Sequence, residues 1–403
     1  MRCQEGTLAP SGGGIRSGRS TMTDSQPQIA RRLKASLSGT NLELTGDYNQ
    51  RLVYQAIRTR GPITRNELTE LTGLAKPTIA GIVKRLVRSE LVAETGRIYG
   101  GRGQPAVHLE ANPEGCYSIG LHVDEDQLSL IVIDALGHPV RRSTTSLPSS
   151  PRTRVNEFFQ HQFVDLTRGI HRERIIGLGV AMSDSVPSGR NSDAGTVTNA
   201  VGIDLMALSE IARDMPIYID SDLAAATAGE LLFGVGATLQ TFYFILLDIM
   251  PVGGLVMHQA LFRGAHPSHK RFLFSDVELA WCREAVAVER EARLGHQAPP
   301  DADESWVEAA CNDLLPLVIS INCMLNPGGL LLGGRFPQEW LDVLAERCNE
   351  LLLKRAPQIP SHAGIQPARL GADVTLAGAA SLPMRARLSP TGEALLKAHD
   401  HGN

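Results

Sequence analysis

The sequence has no C-x-x-C pair. Its six cysteines, Cys3, Cys116, Cys282, Cys311, Cys323 and Cys348, fall at irregular spacing, which argues against a disulfide framework or a four-cysteine zinc module. They read as reduced thiols. A long apolar run is also missing, because the most hydrophobic stretch, Thr241 to Met257, is broken by Asp248 and Pro251. No membrane-crossing helix, and hence no membrane partner, is expected. Met1 to Arg19 lacks the apolar segment of a secretory leader, so a bacterial cytoplasmic, nucleoid-associated protein is expected. Residues 1–45 hold few large apolar side chains and are expected to form a flexible tail. Arg31, Arg32 and Lys34 within it read as a solvated charge run. The remaining chain, with 43% hydrophobic and 20% charged residues overall, is long enough for a small domain and a larger body.

What is present is concentrated first in Gly61 to Leu91. Thr64 and Glu67 make a T-x-x-E capping box that starts a short helix with Leu68 and Leu71 inward. Gly73 suits its left-handed end. Lys76-Pro77-Thr78 opens a second helix, with Ile79, Ile82, Val83 and Leu86 on the packed face and Gly81, Lys84, Arg85 and Arg88 opposite. Tyr48 to Arg60 supplies a preceding amphipathic helix with Leu52, Val53, Ala56 and Ile57 inward. Leu91–Glu94 and Ala106–Leu109 then read as strands around the glycine-rich GRIYGGRGQP, in which Arg97 and Arg102 are placed to reach phosphates or a minor groove. Together these spell a winged helix-turn-helix over residues 46–113. Charge agrees: residues 1–110 hold 16 Lys or Arg against 9 Asp or Glu, net +7, and the rest hold 23 against 34, net −11. The implied partner is a double-stranded DNA operator.

From Gly115 onward strands and helices alternate. Cys116–Val123, Leu128–Asp134, His138–Ser146 and Ile175–Ala181 read as strands, with a helix over Arg152–Arg168. A second block opens near Ile217, with helices at Asp222–Leu232 and Ser305–Leu325 and strands at Phe242–Leu247, Gly254–His258 and Leu330–Leu332. Two α/β lobes around a cleft are expected, over residues 114–216 and 217–375.

The helix-turn-helix, GRGQP at Gly101–Pro105, GAH at Gly264–His266, LNPGGLLLGG at Leu325–Gly334 and GADVTLAGAA at Gly371–Ala380 together resemble the ROK family of bacterial sugar-responsive repressors and sugar kinases. The resemblance spans Tyr48 to Leu382. It implies an actin-like, ribonuclease-H-like ATPase body in two lobes, a winged helix-turn-helix in the repressor branch, and a last helix (376–403) that returns to the first lobe.

Departures from the family pattern are as informative. Its kinases carry D-x-G-G-T where this chain has His122-Val123-Asp124-Glu125-Asp126, placing three carboxylates in the turn that would wrap phosphate. A close like-charge contact at an effective dielectric near 20 costs about 4 kcal/mol. The second phosphate loop, G-T-G-x-G-G-G in the family, is Asp248-Ile249-Met250-Pro251-Val252-Gly253-Gly254 here, where Pro251 also removes a donor. Nucleotide binding is therefore expected to be closed off. Asp222 in Asp220-Ser221-Asp222 stands where the family has its catalytic base. With no phosphoryl donor it reads either as a carboxylate for a ligand hydroxyl, beside Ser221, or as a helix cap. Asn199 matches the family's sugar-contacting Asn, and His266 lies in the GAH loop. Arg271 and Phe274 replace the sugar-holding Glu and His, and an arginine, having no acceptor, favours an acidic ligand. The zinc signature is replaced by Trp281-Cys282-Arg283-Glu284. No metal and no cofactor are expected.

The resulting expectation is a non-enzymatic DNA-binding repressor of carbohydrate-related genes, a homodimer or homotetramer. Lys76, Thr78, Gly81, Lys84, Arg97 and Arg102 would face DNA, and Asn199, Ser221, Asp222, His266 and Arg271 would line a site for a sugar-like or acidic effector. A ROK-type sugar kinase and a ligand-independent constitutive regulator are the alternatives.

Overall fold

A computed structural model describes residues 42–98, 106–124, 127–146, 154–182, 205–212, 215–249, 251–263, 279–293, 301–355 and 362–391. The first described helix, α1 (Leu42–Arg60), starts six residues ahead of the expected Tyr48 and so reaches into the stretch expected to be tail. Helices α2 (Arg65–Thr72) and α3 (Lys76–Arg88) follow, then the antiparallel strands β1 (Val92–Ile98) and β2 (Ala106–Ala111). The capping box is formed in full. The Glu67 amide donates to Thr64 Oγ1 at 3.3 Å, and the Thr64 amide donates to Glu67 Oε2 at 2.7 Å. Gly73 ends α2 at φ 69°. Ile63 pairs with Leu109, tying the turn before α2 to the wing. Val53, Ile57, Leu68, Ile79, Val83, Leu86 and Leu109 close one core.

Leu71 does not join that core, as the spacing predicts, but is 53% exposed. It faces a crevice of about 680 Å³ between this head and the body, lined also by Leu52, Thr59, Leu231, Gln240 and His258.

The body holds two five-stranded sheets of the same topology. In the first, β3 (Tyr117–Val123), β4 (Gln127–Asp134) and β5 (Pro139–Ser146) form an antiparallel meander. After α4 (Arg154–Thr167), β6 (Ile175–Met182) pairs parallel to β3. After α5 (Leu205–Ala212), β7 (Ile217–Ser221) pairs parallel to β6, giving the order β5-β4-β3-β6-β7. Ile217 thus closes the first sheet rather than opening the second lobe. The reason is connectivity: a strand returning after a helix lies beside its parallel predecessor.

Helix α6 (Asp222–Phe233) leads into the second sheet. There β8 (Phe242–Leu247), β9 (Val252–Met257) and β10 (Ala260–Leu261) run antiparallel. Helices α7 (Ala280–Arg293) and α8 (Glu304–Leu325) precede β11 (Leu330–Gly334), and α9 (Gln338–Arg355) precedes β12 (Ile365–Pro367). The order is β10-β9-β8-β11-β12, the first sheet's pattern repeated. Trp281, Trp306, Phe336 and Trp340 pack between α7, α8, α9 and the sheet, and Cys282 is buried among them.

The last described helix, α10 (Val374–Leu388), packs on β3, β4, β6 and α6. Its small-residue run permits that fit: a Cβ on Gly378 would lie 2.2 Å from the Ala225 carbonyl oxygen, and one on Gly179 of β6 would lie 1.8 Å from that of Ala379. Rather than running to 403, the helix stops at Leu388. Ser389 is extended (ψ 142°) ahead of Pro390, whose ring disfavours a helical residue before it.

Candidate nucleic-acid interface and interlobe cleft

Helix α3 presents Lys76, Thr78, Ala80, Lys84 and Arg88 to solvent, with Gly81 half-buried between them. Among the described residues no carboxylate pairs with Lys76, Lys84 or Arg88. Arg85 differs from them, because its Nε donates to Gln50 Oε1 at 2.9 Å and steadies α1 against α3. Arg65 is likewise occupied, paired with Glu94 on the wing at 2.6 Å. A Cβ on Gly81 would meet only the Arg85 guanidinium, at 4.0 Å, so packing does not require glycine there. Arg97 belongs to β1, opposite Val107 after a bulge, and the loop carrying Arg102 lies outside the described residues.

The cleft lies where β3, β8 and β11 end. Asp124, after β3, is buried and forms an ion pair with Arg335 Nη1. Arg335, immediately after β11, also places Nη2 at 2.6 Å and Nε at 3.2 Å from Asp248 Oδ1, at the end of β8. Burial pushes the Arg335 guanidinium down to about 10, still well above neutrality. One guanidinium therefore joins the two positions that in the family's kinases wrap phosphate. This changes the electrostatic reading of the turn: Asp124 is neutralised by an internal cation rather than left as bare repulsion, and Glu125 and Asp126 lie outside the described residues.

Deeper in the cleft, Ser221 is the N-cap of α6, its hydroxyl accepting from the Ala224 amide at 3.4 Å. Asp222 is the first helical residue and so is not the cap. Its Oδ1 lies 3.3 Å from His122 Nε2 on β3, within ion-pair range, and among the described residues neither buried atom has a hydrogen-bond partner. A second contact across the sheets, Arg263 with Asp220 at 2.5 Å, lies beside them. Asn199, His266 and Arg271 lie outside the described residues. Of the expected effector residues, the structure brings together Ser221 and Asp222 only.

At its far end α6 grips the head. Arg58 of α1 donates to the Leu232 carbonyl at 2.7 Å and stacks 5.1 Å above the Phe233 ring. Arg51 donates to the Ala386 carbonyl of α10 at 2.7 Å, and Arg174, ahead of β6, pairs with Glu90. Arg335, His122 and Arg58 were not among the expected site residues. Only Arg335 carried a signal, a cation placed directly after an apolar strand that ends Gly-Gly.

No family model matches the chain. The xylose repressor of Bacillus subtilis is 24% identical over 220 residues, covering 54% of this chain and 57% of that protein. The chain thus aligns with little over half the length of that relative. The DNA-binding transcriptional repressor Mlc of Escherichia coli is 22% identical over 381 residues, covering 82% of this chain and 92% of its own. Among solved structures, a ROK family transcriptional regulator described as a homologue of the E. coli protein superposes with a TM-score of 0.59 at 17% identity, covering 87% of this chain and 98% of the other. The chain is thus similar in sequence to bacterial repressors and in fold to a ROK family transcriptional regulator, and its head has the three helices and two-stranded wing of a winged helix-turn-helix.

Proposed function

We propose that the chain is a sequence-specific DNA-binding transcriptional repressor, without enzymatic activity, acting as a symmetric homodimer or homotetramer on carbohydrate-related genes. The observation that carries this reading is the row of cations on α3 that pair with no carboxylate among the described residues. Lys76 and Lys84, with Thr78 between them, contact the operator, and Gly81 lets the helix backbone approach the groove. Arg97 and Arg102 add wing contacts. Most of these groups hold phosphates and fix register, so the remaining selectivity comes from DNA shape.

A sugar-like or acidic effector occupies the cleft beside Ser221, Asp222 and His122, with Asn199, His266 and Arg271 as further contacts. Supporting this, Asp222 Oδ1 and His122 Nε2 are buried polar atoms 3.3 Å apart that have no hydrogen-bond partner among the described residues, a costly arrangement that a ligand hydroxyl would relieve. Helix α6 then carries the event to the head: 12 residues, about 18 Å long, join Asp222 at one end to the Arg58 contact at the other. An effector shifts DNA affinity only by binding one lobe arrangement better than another.

The kinase alternative is disfavoured because Arg335 already spans both phosphate-loop positions and Pro251 replaces a backbone donor. Duplexes selected from genomic DNA test the reading. The full chain retains a specific duplex, a chain lacking residues 1–110 does not, and no carbohydrate elicits ATP consumption. ATP turnover, or retention by the truncated chain, overturns it. Operator affinity that stays constant across sugars, sugar phosphates and sugar acids removes the effector step and leaves a constitutive regulator.

A further inference from the structure

Two thiols in the helical layer of the second lobe play no part in the cleft or the head. Cys311 on α8 and Cys348 on α9 bring their Sγ atoms to 3.2 Å, and both side chains are buried. A disulfide S–S bond is about 2.05 Å, so closure requires roughly 1.1 Å of further approach. The other buried thiols, Cys116 and Cys282, show no such neighbour among the described residues and behave as small apolar groups. Burial pushes Cys116 up to about 12. Cys323 is exposed.

The pair is also asymmetric. The hydrogen bond with the Cys348 thiol holds Cys311 below the ordinary thiol value despite its burial, and the Arg347 guanidinium nearby acts in the same direction. Cys348 is pushed up by that same contact and by burial. The Arg347 guanidinium favours Cys311 as the sulfur that attacks, with Cys348 resolving.

We infer that Cys311 and Cys348 are a thiol modification site that closes to an intramolecular disulfide on meeting a peroxide, a two-electron oxidant small enough to enter a packed helical layer. The Cys311 thiolate attacks one peroxide oxygen; the O–O bond breaks, and the departing hydroxide takes a proton to leave as water. Cys311 is then a sulfenic acid. The Cys348 sulfur attacks the Cys311 sulfur, the S–O bond breaks, and the hydroxyl leaves as water with the Cys348 proton. Two thiols are oxidised and one peroxide becomes two waters. The bond closes a loop between positions 37 apart. That loop contains β11 and Arg335, so oxidation braces the segment that presents the cleft's guanidinium.

The test uses the full-length protein treated with hydrogen peroxide, then denatured, alkylated and peptide-mapped. The expected result is loss of two alkylatable thiols, a linked peptide pair containing Cys311 and Cys348, reversal by dithiothreitol, and an upward shift in the unfolding midpoint. Cys323→Ser leaves the yield of that linkage unchanged. Cys311 and Cys348 both remaining alkylatable at a dose that oxidises Cys323, or pairing with any other cysteine, overturns the inference. The decisive mapping is made on the unsubstituted chain, so it does not depend on a variant's folding.

Discussion

The one guanidinium of Arg335 holds both Asp124, after β3 of the first sheet, and Asp248, after β8 of the second. Removing it leaves two carboxylates facing each other in a partly buried cleft. Arg335→Ala is expected to destabilise the protein by about 3 kcal/mol, measured by denaturant unfolding, with part of the loss recovered by adding Asp124→Asn. Glu67 predicts a pH dependence. Hydrogen bonds from the Thr64 backbone amide and hydroxyl hold its carboxyl below the ordinary 4.5. A depressed carboxyl stabilises the fold above its unfolded value and loses that contribution as pH falls through the folded one. Amide exchange in α2 should therefore be faster in Glu67→Gln than in the parent at about pH 7, and the difference should shrink as pH falls through the depressed folded value. An unchanged difference at acid pH would remove the capping box as its source.

At the scale of elements, Gly81 and Gly378 are opposite cases. A Cβ at Gly81 meets only the Arg85 guanidinium, at 4.0 Å, so Gly81→Ala should stabilise α3 by up to about 1 kcal/mol while weakening DNA binding if the backbone approaches the groove. A Cβ at Gly378 meets the Ala225 carbonyl, so Gly378→Ala should destabilise the α6–α10 crossing by about 1–3 kcal/mol. Thermal unfolding separates the two signs. The capping box, Gly73, Pro77 and the apolar stripe of α3 were legible because each rests on local chemistry that the chain states within four residues. Leu71 was not: it carries the right spacing, but a body not adjacent in sequence decides what its face meets. The strand Ile217–Ser221 was not read from the sequence, and the second block was started near Ile217, for the same reason, since pairing with β6 is a property of the sheet. In the cleft, Asp124 and Asp248 were visible as replaced motif positions and Asp222 as a retained one. Arg335, just after β11, and His122, on β3, reach them from remote parts of the chain, and nothing in sequence spacing brings Arg335 to Asp124 across 211 positions.

At the scale of the whole molecule, the charge reversal between residues 1–110 and the rest concentrates positive potential on a head that Arg51, Arg58 and Arg174 fasten to an acidic body. The central claim is that α3 delivers its cations to DNA. The most direct measurement is the salt dependence of affinity for a genome-selected duplex, compared between the parent chain and the Lys76→Ala, Lys84→Ala double variant. The account predicts tight binding at low ionic strength, a steep loss of affinity with salt, and a log–log slope about 2 smaller for the variant, roughly one per phosphate contact. Failure of the parent chain to hold any duplex at low salt, or identical affinity and slope in the two proteins, would contradict it.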